Sequence, residues 1–337
     1  MAISTANNKR LLLMIVGTSL GLIFLYLAFR DVSWNDFVNG LKQIDPVYLL
    51  PSALLMIAIQ FIRAVRFGLI LNPLCRMRTK DLWDMLNLWA GASMILPIRL
   101  GELVRPYLLR QRGATFSSGV GAVMVERFFD LSGLLFLLGI VLWTNPQVPA
   151  FYSYLGLGLV GALAVGYSMV LLILTRREAF QTKLDRILSL FPERAARFLS
   201  RIIKLVIDGF GIMASFRQAL IIFAFSVLIW ILFSCVTYLF LLSFSVKAPF
   251  LVAVTIQVFI CFGVALPSAP GFVGTFHAAG RYALALFGIQ TVVAISFATV
   301  YHLFALVMSL ALGLASYLTC SFRFDQSLFS GSSDPSQ

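Results

Sequence analysis

Twice in this chain a long apolar run is cut by the same pattern. Leu96-Pro97-Ile98-Arg99-Leu100-Gly101 and Leu266-Pro267-Ser268-Ala269-Pro270-Gly271 both read L-P-x-x-x-G, 170 positions apart. Proline and glycine break helices. Inside lipid, a break frees backbone groups that no water can satisfy, so it is tolerated only against protein or a polar cavity. Interrupted hydrophobic segments at corresponding places in two halves of a chain point to a transporter's binding site.

The runs themselves fix the class. The chain is 60% hydrophobic and 12% charged, with mean hydropathy +0.93, where soluble domains hold about 45–50% and 25%. The alternating ten-residue segments of a transmembrane barrel are absent from the sequence. The sequence reads as an all-α polytopic membrane protein with spans at 11–29, 47–72, 116–143, 152–175, 219–245 and 291–320. Leu11–Phe29 follows Lys9 and Arg10 and suits a first span better than the shorter core of a signal peptide. Residues 83–112 and 250–290 read as two re-entrant helical hairpins, each returning to the side it entered from. The reading is one transmembrane domain, 1–325, of two pseudo-repeats, about 11–150 and 151–320, followed by a disordered tail, 326–337.

The net charge of +12 follows topology and does not call for nucleic acid. With the N-terminus in the cytoplasm, Arg76, Arg78 and Lys80, then Arg110 and Arg112, and nine basic residues between Arg176 and Arg217 all fall inside, as the positive-inside rule requires. Both termini are then cytoplasmic, in a multi-pass protein of the bacterial inner membrane. The two hairpins enter from opposite sides, as an inverted repeat demands. In the loop 176–217, Leu184, Ile187, Leu188 and Phe191, then Leu199, Ile202, Ile203 and Val206, keep helical spacing opposite basic faces. Such stretches lie flat on an anionic leaflet.

Charged side chains in lipid cost at least about 2.5–3.5 kcal/mol each on insertion scales and mark functional sites. Here Arg63 and Arg66 share a face of the second span. Arg99, Glu102 and Arg105 follow the first break at spacings of three. Glu126, Arg127 and Asp130 sit in the span 116–143, with Glu126 and Asp130 on one face. Five arginines against three carboxylates leave two positive charges to be met by a ligand or by water. An anionic headgroup fits, because arginine's planar fork matches phosphate. Snorkelling of Arg63 and Arg66 and a structural ion-pair lock are the competing readings. Cys75, Cys235, Cys261 and Cys320 are isolated, and His277 and His302 are the two histidines. No metal or other cofactor is expected, and no nucleotide-binding P-loop is present.

These motifs resemble the flippase-like membrane family that includes the transmembrane part of lysylphosphatidylglycerol synthases, AglD-like archaeal proteins and YbhN-like bacterial proteins. The residues that carry the resemblance are Arg63-x-x-Arg66, Pro97-x-Arg99-x-Gly101-Glu102-x-x-Arg105, Glu126-Arg127-x-x-Asp130 and Pro267-x-x-Pro270-Gly271-x-x-Gly274. The resemblance covers about residues 10–320 and implies lipid translocation. His277 stands where the family often has an acidic residue, which makes it a gate or proton-site candidate. No soluble aminoacyl-transferase domain is present in the sequence.

The expected function is a lipid flippase moving a phospholipid or a polyprenyl-phosphate-linked lipid by alternating access around the hairpin tips Pro97, Gly101, Pro267, Pro270, Gly271 and Gly274. Arg63, Arg66, Arg99 and Arg105 would hold the headgroup, with Glu102, Glu126, Arg127 and Asp130 completing the site, and none acting catalytically. The partners are membrane lipids, with a homo-oligomer left open. An integral-membrane transferase on lipid phosphates and a non-transporting lipid-binding accessory protein are the alternatives. In a cysteine-free background, cysteines placed at Asn35 and Asn145 are expected to react with an impermeant thiol reagent outside intact cells, while one at Lys183 stays unlabelled. Labelling at Lys183 would reverse the topology.

Overall fold

The computed structural model describes residues 18–72, 74–144, 150–175, 216–266 and 269–322, with positions 193, 196 and 200; of 97–99, 150–152, 155 and 169–175 it describes the backbone only. The amphipathic loop and the tail, the start of the first span, Pro267, and the side chains of Pro97 and Arg99 lie outside the described parts. The described residues form no strand; they build helices α1 (Thr18–Phe29), α2 (Trp34–Leu41), α3 (Leu49–Leu71), α4 (Thr79–Ile95), α5 (Val104–Arg110) and α6 (Phe116–Thr144), then α7 (Ala150–Thr175), α8 (Phe216–Ser243), α9 (Phe250–Ala265), α10 (Thr275–Ala285) and α11 (Thr291–Thr319).

Among the described residues three stretches are both long and apolar enough to cross a membrane: Pro46–Leu71, Phe216–Ser243 and Thr291–Thr319. Their outer faces carry exposed Leu54, Phe61, Leu228, Leu303 and Leu314, which in water would be an aggregation liability and in lipid is simply the solvent contact. α6 has the length, at 29 residues, but carries Glu126, Arg127 and Asp130. The 3-10 turn Pro46–Tyr48 that leads into α3 is started by an aspartate cap and a proline: Asp45 accepts from the Val47 amide at 3.0 Å, with Pro46 following it.

Both L-P-x-x-x-G patterns interrupt the helix. Leu96 (ψ 131°) and Leu266 (ψ 149°) are extended, because a following proline excludes the helical conformation. The first break is filled by a 3-10 segment, Pro97–Leu103, so the returning helix starts at Val104 and not directly after Gly101. The chain then doubles back. Arg112 donates to Asp81 at 2.9 Å, placing the end of this segment beside the start of α4. The second break reverses the chain likewise: α10 packs back along α9, with Tyr282 stacked on Phe259 at 5.8 Å.

The ends of the elements sort into two groups. At one end Lys80 donates to the Thr319 carbonyl at 2.8 Å, Ser321 to Asp81 at 3.0 Å and Gln218 to the Leu69 carbonyl at 2.8 Å. At the other the Asp45 amide meets the Ser243 carbonyl at 2.8 Å, and Arg281 holds the Leu27 and Ala28 carbonyls and Asp31. Arg281 also keeps the Asp31 carboxyl below its ordinary pKa. The α4–α5 hairpin opens to the first end and the α9–α10 hairpin to the second. Their turns meet between, beside the middle of α11, where Gly271 approaches both the Met94 carbonyl and Leu306.

Close approach demands small residues at two places. α4 and α11 cross with Gly91 against Gly313, as membrane helix pairs do. Gly271 (φ 68°), Phe272 (φ 63°) and Gly274 (φ 90°) give the second break a left-handed path. A Cβ on Gly274 would overlap the Gly21 carbonyl of α1. Gly274→Ala is therefore expected to lower stability by about 1–3 kcal/mol or more, read as a drop in melting temperature of the purified protein. An unchanged value would show that α1 does not seat on this turn.

Candidate functional site

Three chain segments bring six charged side chains together. Residues 126 and 130 of α6 lie one turn apart, so both carboxylates face α3. There Arg66 donates to Glu126 at 2.8 Å, to Asp130 through a short contact, and to Ser226 of α8 at 2.7 Å. Arg105, at the start of α5, donates to the other oxygen of Glu126 and to Glu102 at 2.5 Å. Arg127 donates to Glu102 at 3.1 Å and to Asp130 at 3.1 Å. The contacts close into a ring: Arg66, Glu126, Arg105, Glu102, Arg127, Asp130 and back to Arg66. Three positive and three negative charges alternate around it, and the net charge is zero.

Burial is uneven around the ring. The side chains of Arg66 and Arg105 are 0% exposed and Glu126 2%, whereas Glu102 is 31% and Arg127 39% exposed. Arg66, Arg105 and Glu126 are thus sealed inside protein, and Glu102 and Arg127 face a cavity. An unpaired buried charge cannot persist at this depth, so each sealed arginine bridges two carboxylates. Trp89 of α4 lies among the cations, its ring 4.3 Å from the Arg105 guanidinium carbon, 5.0 Å from that of Arg127 and 5.6 Å from that of Arg63. A desolvated contact of this kind is worth about 2 kcal/mol.

Arg63, one turn before Arg66, is outside the ring. Its nearest polar partner is neutral: it donates to Gln60 at 3.2 Å, Gln60 to Asn87 at 3.1 Å, and Asn87 to Ser316 at 3.2 Å. Its guanidinium also faces Phe233 at 5.0 Å, and its buried Nε has no partner. Among the described residues no carboxylate pairs with it. Arg63 instead lines a cavity of about 320 Å³ together with Gln60, Trp89, Ser93, Glu102 and Arg127. The far wall comes from the second half of the chain: Gln257 and Cys261 of α9, Phe272 at the second break, and Tyr301, His302 and Ser309 of α11. Gln257 accepts from Tyr301 at 3.1 Å and from Thr237 at 2.7 Å.

The Gly271 carbonyl lies 2.6 Å from His302 Nε2; a carbonyl only accepts, so Nε2 carries the proton. His277 stands behind His302, ring centres 5.0 Å apart, with an unpartnered Nδ1 and Phe29 and Phe276 around it. It does not line the cavity.

Of the residues singled out from sequence, Arg66, Glu102, Arg105, Glu126, Arg127 and Asp130 form the ring and Arg63 stands beside it. Gly101 folds tightly onto Ser93 of α4, and Pro270, Gly271 and Gly274 shape the second turn. Arg66 and Arg105, expected at the headgroup, are shut off from the cavity in this conformation. The sequence reading missed Gln60, Trp89, Gln257, Tyr301 and His302. Lone polar residues inside apolar runs were the available signal for Gln60, Gln257 and His302; Trp89 carried none.

Residues 14–313, which hold the six ring residues and the cavity lining, match the family described as lysylphosphatidylglycerol synthase TM region. The chain belongs to that family. It is 25% identical over 299 residues to a UPF0104 membrane protein of Methanothermobacter thermautotrophicus, across 85% of this chain and 87% of the relative. It is also 26% identical over 130 residues to a protein named glycosyltransferase AglD of Haloferax volcanii, covering 38% of this chain and 21% of AglD. Within this family member, breaking the ring is expected to be costly. Glu126→Gln strips both sealed arginines of a charge partner and should destabilise by about 3–5 kcal/mol, measured by thermal unfolding in detergent. A change within 0.5 kcal/mol would mean that the ring does not hold the segments together.

Proposed function

We propose that this protein carries a lipid headgroup across the bacterial inner membrane by alternating access, as a flippase for a phospholipid or a polyprenyl-phosphate-linked lipid. The observation that carries this reading is Arg63: a cation without a carboxylate partner among the described residues, facing a cavity that lies between two chain breaks from opposite halves. The two hairpins are taken as re-entrant and as the inverted pair of one repeat. They open to opposite ends of the molecule, and their turns meet beside the middle of a spanning helix. Both termini are then cytoplasmic, as the positive-inside count favours.

In this mechanism Arg63 receives the phosphate through its fork. Glu102 and Arg127 are the one arc of the ring that meets the cavity, so an incoming phosphate competes with Glu102 for Arg127. Arg66, Arg105, Glu126 and Asp130 keep α3, α5 and α6 in register while the cavity changes face. The acyl chains stay in lipid beside the apolar outer surfaces. The second turn, with Phe272 strained at positive φ and Gly271 latched by His302, is the element placed to move.

A transferase acting on a lipid phosphate is the second reading. It is favoured by the match to AglD, named a glycosyltransferase, and by a carboxylate, Glu102, that faces the cavity. Purified protein in liposomes separates the two. Inversion of intact lipid, with lipid mass unchanged, is expected. Arg63→Ala removes a charge-assisted hydrogen bond of about 1.5–3 kcal/mol and should slow inversion by roughly ten- to a hundredfold without loss of folding. A lipid whose mass changes and which is not inverted would establish the chemistry in place of transport.

A further inference from the structure

The chain has two histidines, and the fold puts them side by side where the second turn meets α11, ring centres 5.0 Å apart. Two imidazolium ions at that distance repel, so the pair takes up one proton and not two. His302 is the better seat. It lines the cavity, its Nε2–H already donates to the Gly271 carbonyl, and Phe276 stacks on its face at 4.8 Å. A positive charge would strengthen both contacts. With Nε2 committed, the proton goes to Nδ1, the ring's remaining lone pair. His277 stands off the cavity between Phe29 and Phe276, its Nδ1 buried and without a partner.

What His302 lacks is a counter-charge. Among the described residues no carboxylate pairs with either ring. The neighbouring groups are committed elsewhere. On α11 the Tyr301 hydroxyl donates to Gln257. Arg281 of α10 holds Asp31 beyond α1, which also pairs with Arg30. α9 brings the Cys261 thiol to the cavity. α4 brings Asp84, tied to Lys80 at 2.7 Å beside the far end of α11, and α2 brings Asp36, which accepts from Ser33 at the surface. Across the cavity Glu102 is held by Arg105 and Arg127, and Arg63 adds a further positive charge. An imidazolium buried here alone is costly. A phosphate in the same cavity removes that cost, because it supplies the missing negative charge to His302 as well as to Arg63.

We infer that His302 is a proton-binding site linked to phosphate binding in the cavity: one proton is taken from water onto Nδ1 with each lipid phosphate bound, and is released with it. This rests on the placement of the phosphate beside Arg63 in the transport reading. The linkage is reciprocal: acid tightens lipid binding, and lipid tightens proton binding. In alternating access the proton crosses with the cargo, so a pH gradient biases transport toward the alkaline side.

Because the chain has two histidines, isotope labelling of histidine nitrogen in the full chain, purified without a histidine tag, gives two imidazoles to follow by NMR in detergent. Short-chain phosphatidylglycerol is the probe, since its phosphodiester stays ionised across the range used. At about pH 6.5 both rings should be neutral without lipid. Saturating lipid should convert one of them to the imidazolium, with N–H at both nitrogens, and His277→Gln, which deletes the other signal, should leave that conversion in place. Affinity for the lipid should be at least about tenfold higher at about pH 5.5 than at about pH 8. His302→Gln, whose amide can still donate to the Gly271 carbonyl, should flatten that profile. Two rings that stay neutral at saturation, an imidazolium already present without lipid, an imidazolium on His277, or an unchanged pH profile in folded His302→Gln each overturns the inference. Should either variant misfold, the labelled parent decides by whether lipid charges a ring. Lipid that binds with its proton but is never inverted in liposomes would sink the transport reading and leave the linkage standing. Inversion at one rate at both pH values, with both rings neutral, would do the opposite. A protein that binds no phosphatidylglycerol at either pH would sink both.

Discussion

Six charged side chains cannot leave water singly. The effective penalty is several kcal/mol per ion even after relaxation, and it is recovered only when geometry and hydrogen bonding are complete. In this protein the recovery comes from closure. Each arginine of the ring touches two carboxylates and each carboxylate two arginines, so no charge is left at an end of a chain of pairs. The ring joins α3, the first break with α5, and α6, which are apart in sequence. Their relative positions are therefore set by electrostatics as much as by the apolar packing around Phe67 and Phe129. The first hairpin is anchored because Glu102 and Arg105 flank its return.

Closure has a consequence one turn away. Because three carboxylates are consumed by three arginines, Arg63 is left with amides and aromatic rings for company. A cation in that position is a poor structural element and a good ligand for an anion. The polar chain through Gln60, Asn87 and Ser316 links it to α4 and α11, so the same cavity senses both halves of the molecule. Among the described residues nothing comparable stands on the second hairpin, whose turn instead relies on glycines, a strained phenylalanine and a histidine latch.

Much of this was readable from residues alone. The two L-P-x-x-x-G patterns gave both breaks, because the residue before a proline cannot stay helical. The spacing of Glu126 and Asp130 put both carboxylates on one face, and both meet Arg66. Counting five arginines against three carboxylates gave an excess of two positive charges; among the described side chains Arg63 stands without a carboxylate, and the side chain of Arg99 lies outside them. The count could not say which arginine would be left over, since that depends on which helices touch. Sequence alone puts Arg63, Arg66, Arg99 and Arg105 together as headgroup ligands; in this conformation Arg66 and Arg105 are sealed in the ring, Arg63 lines the cavity, and the Arg99 side chain lies outside the described parts. Trp89 was invisible for a like reason: a tryptophan in an apolar run has no periodicity that marks it as the face shared by three guanidinium groups. The 3-10 filling of the first break was also unforeseen, since sequence marks where a helix stops and not how many residues pass before the next begins.

The central claim is that Arg63, and not the sealed arginines Arg66 and Arg105, meets the lipid phosphate. An experimental structure of the protein in lipid nanodiscs containing phosphatidylglycerol tests it most directly. The account predicts phosphate density in the cavity between the two turns, within about 3 Å of the Arg63 guanidinium, with the contacts of Arg66 and Arg105 to Glu126 intact. Phosphate density bound to Arg66 or Arg105 with the ring opened, or lipid seated only on the outer helix faces with the cavity empty, would contradict it.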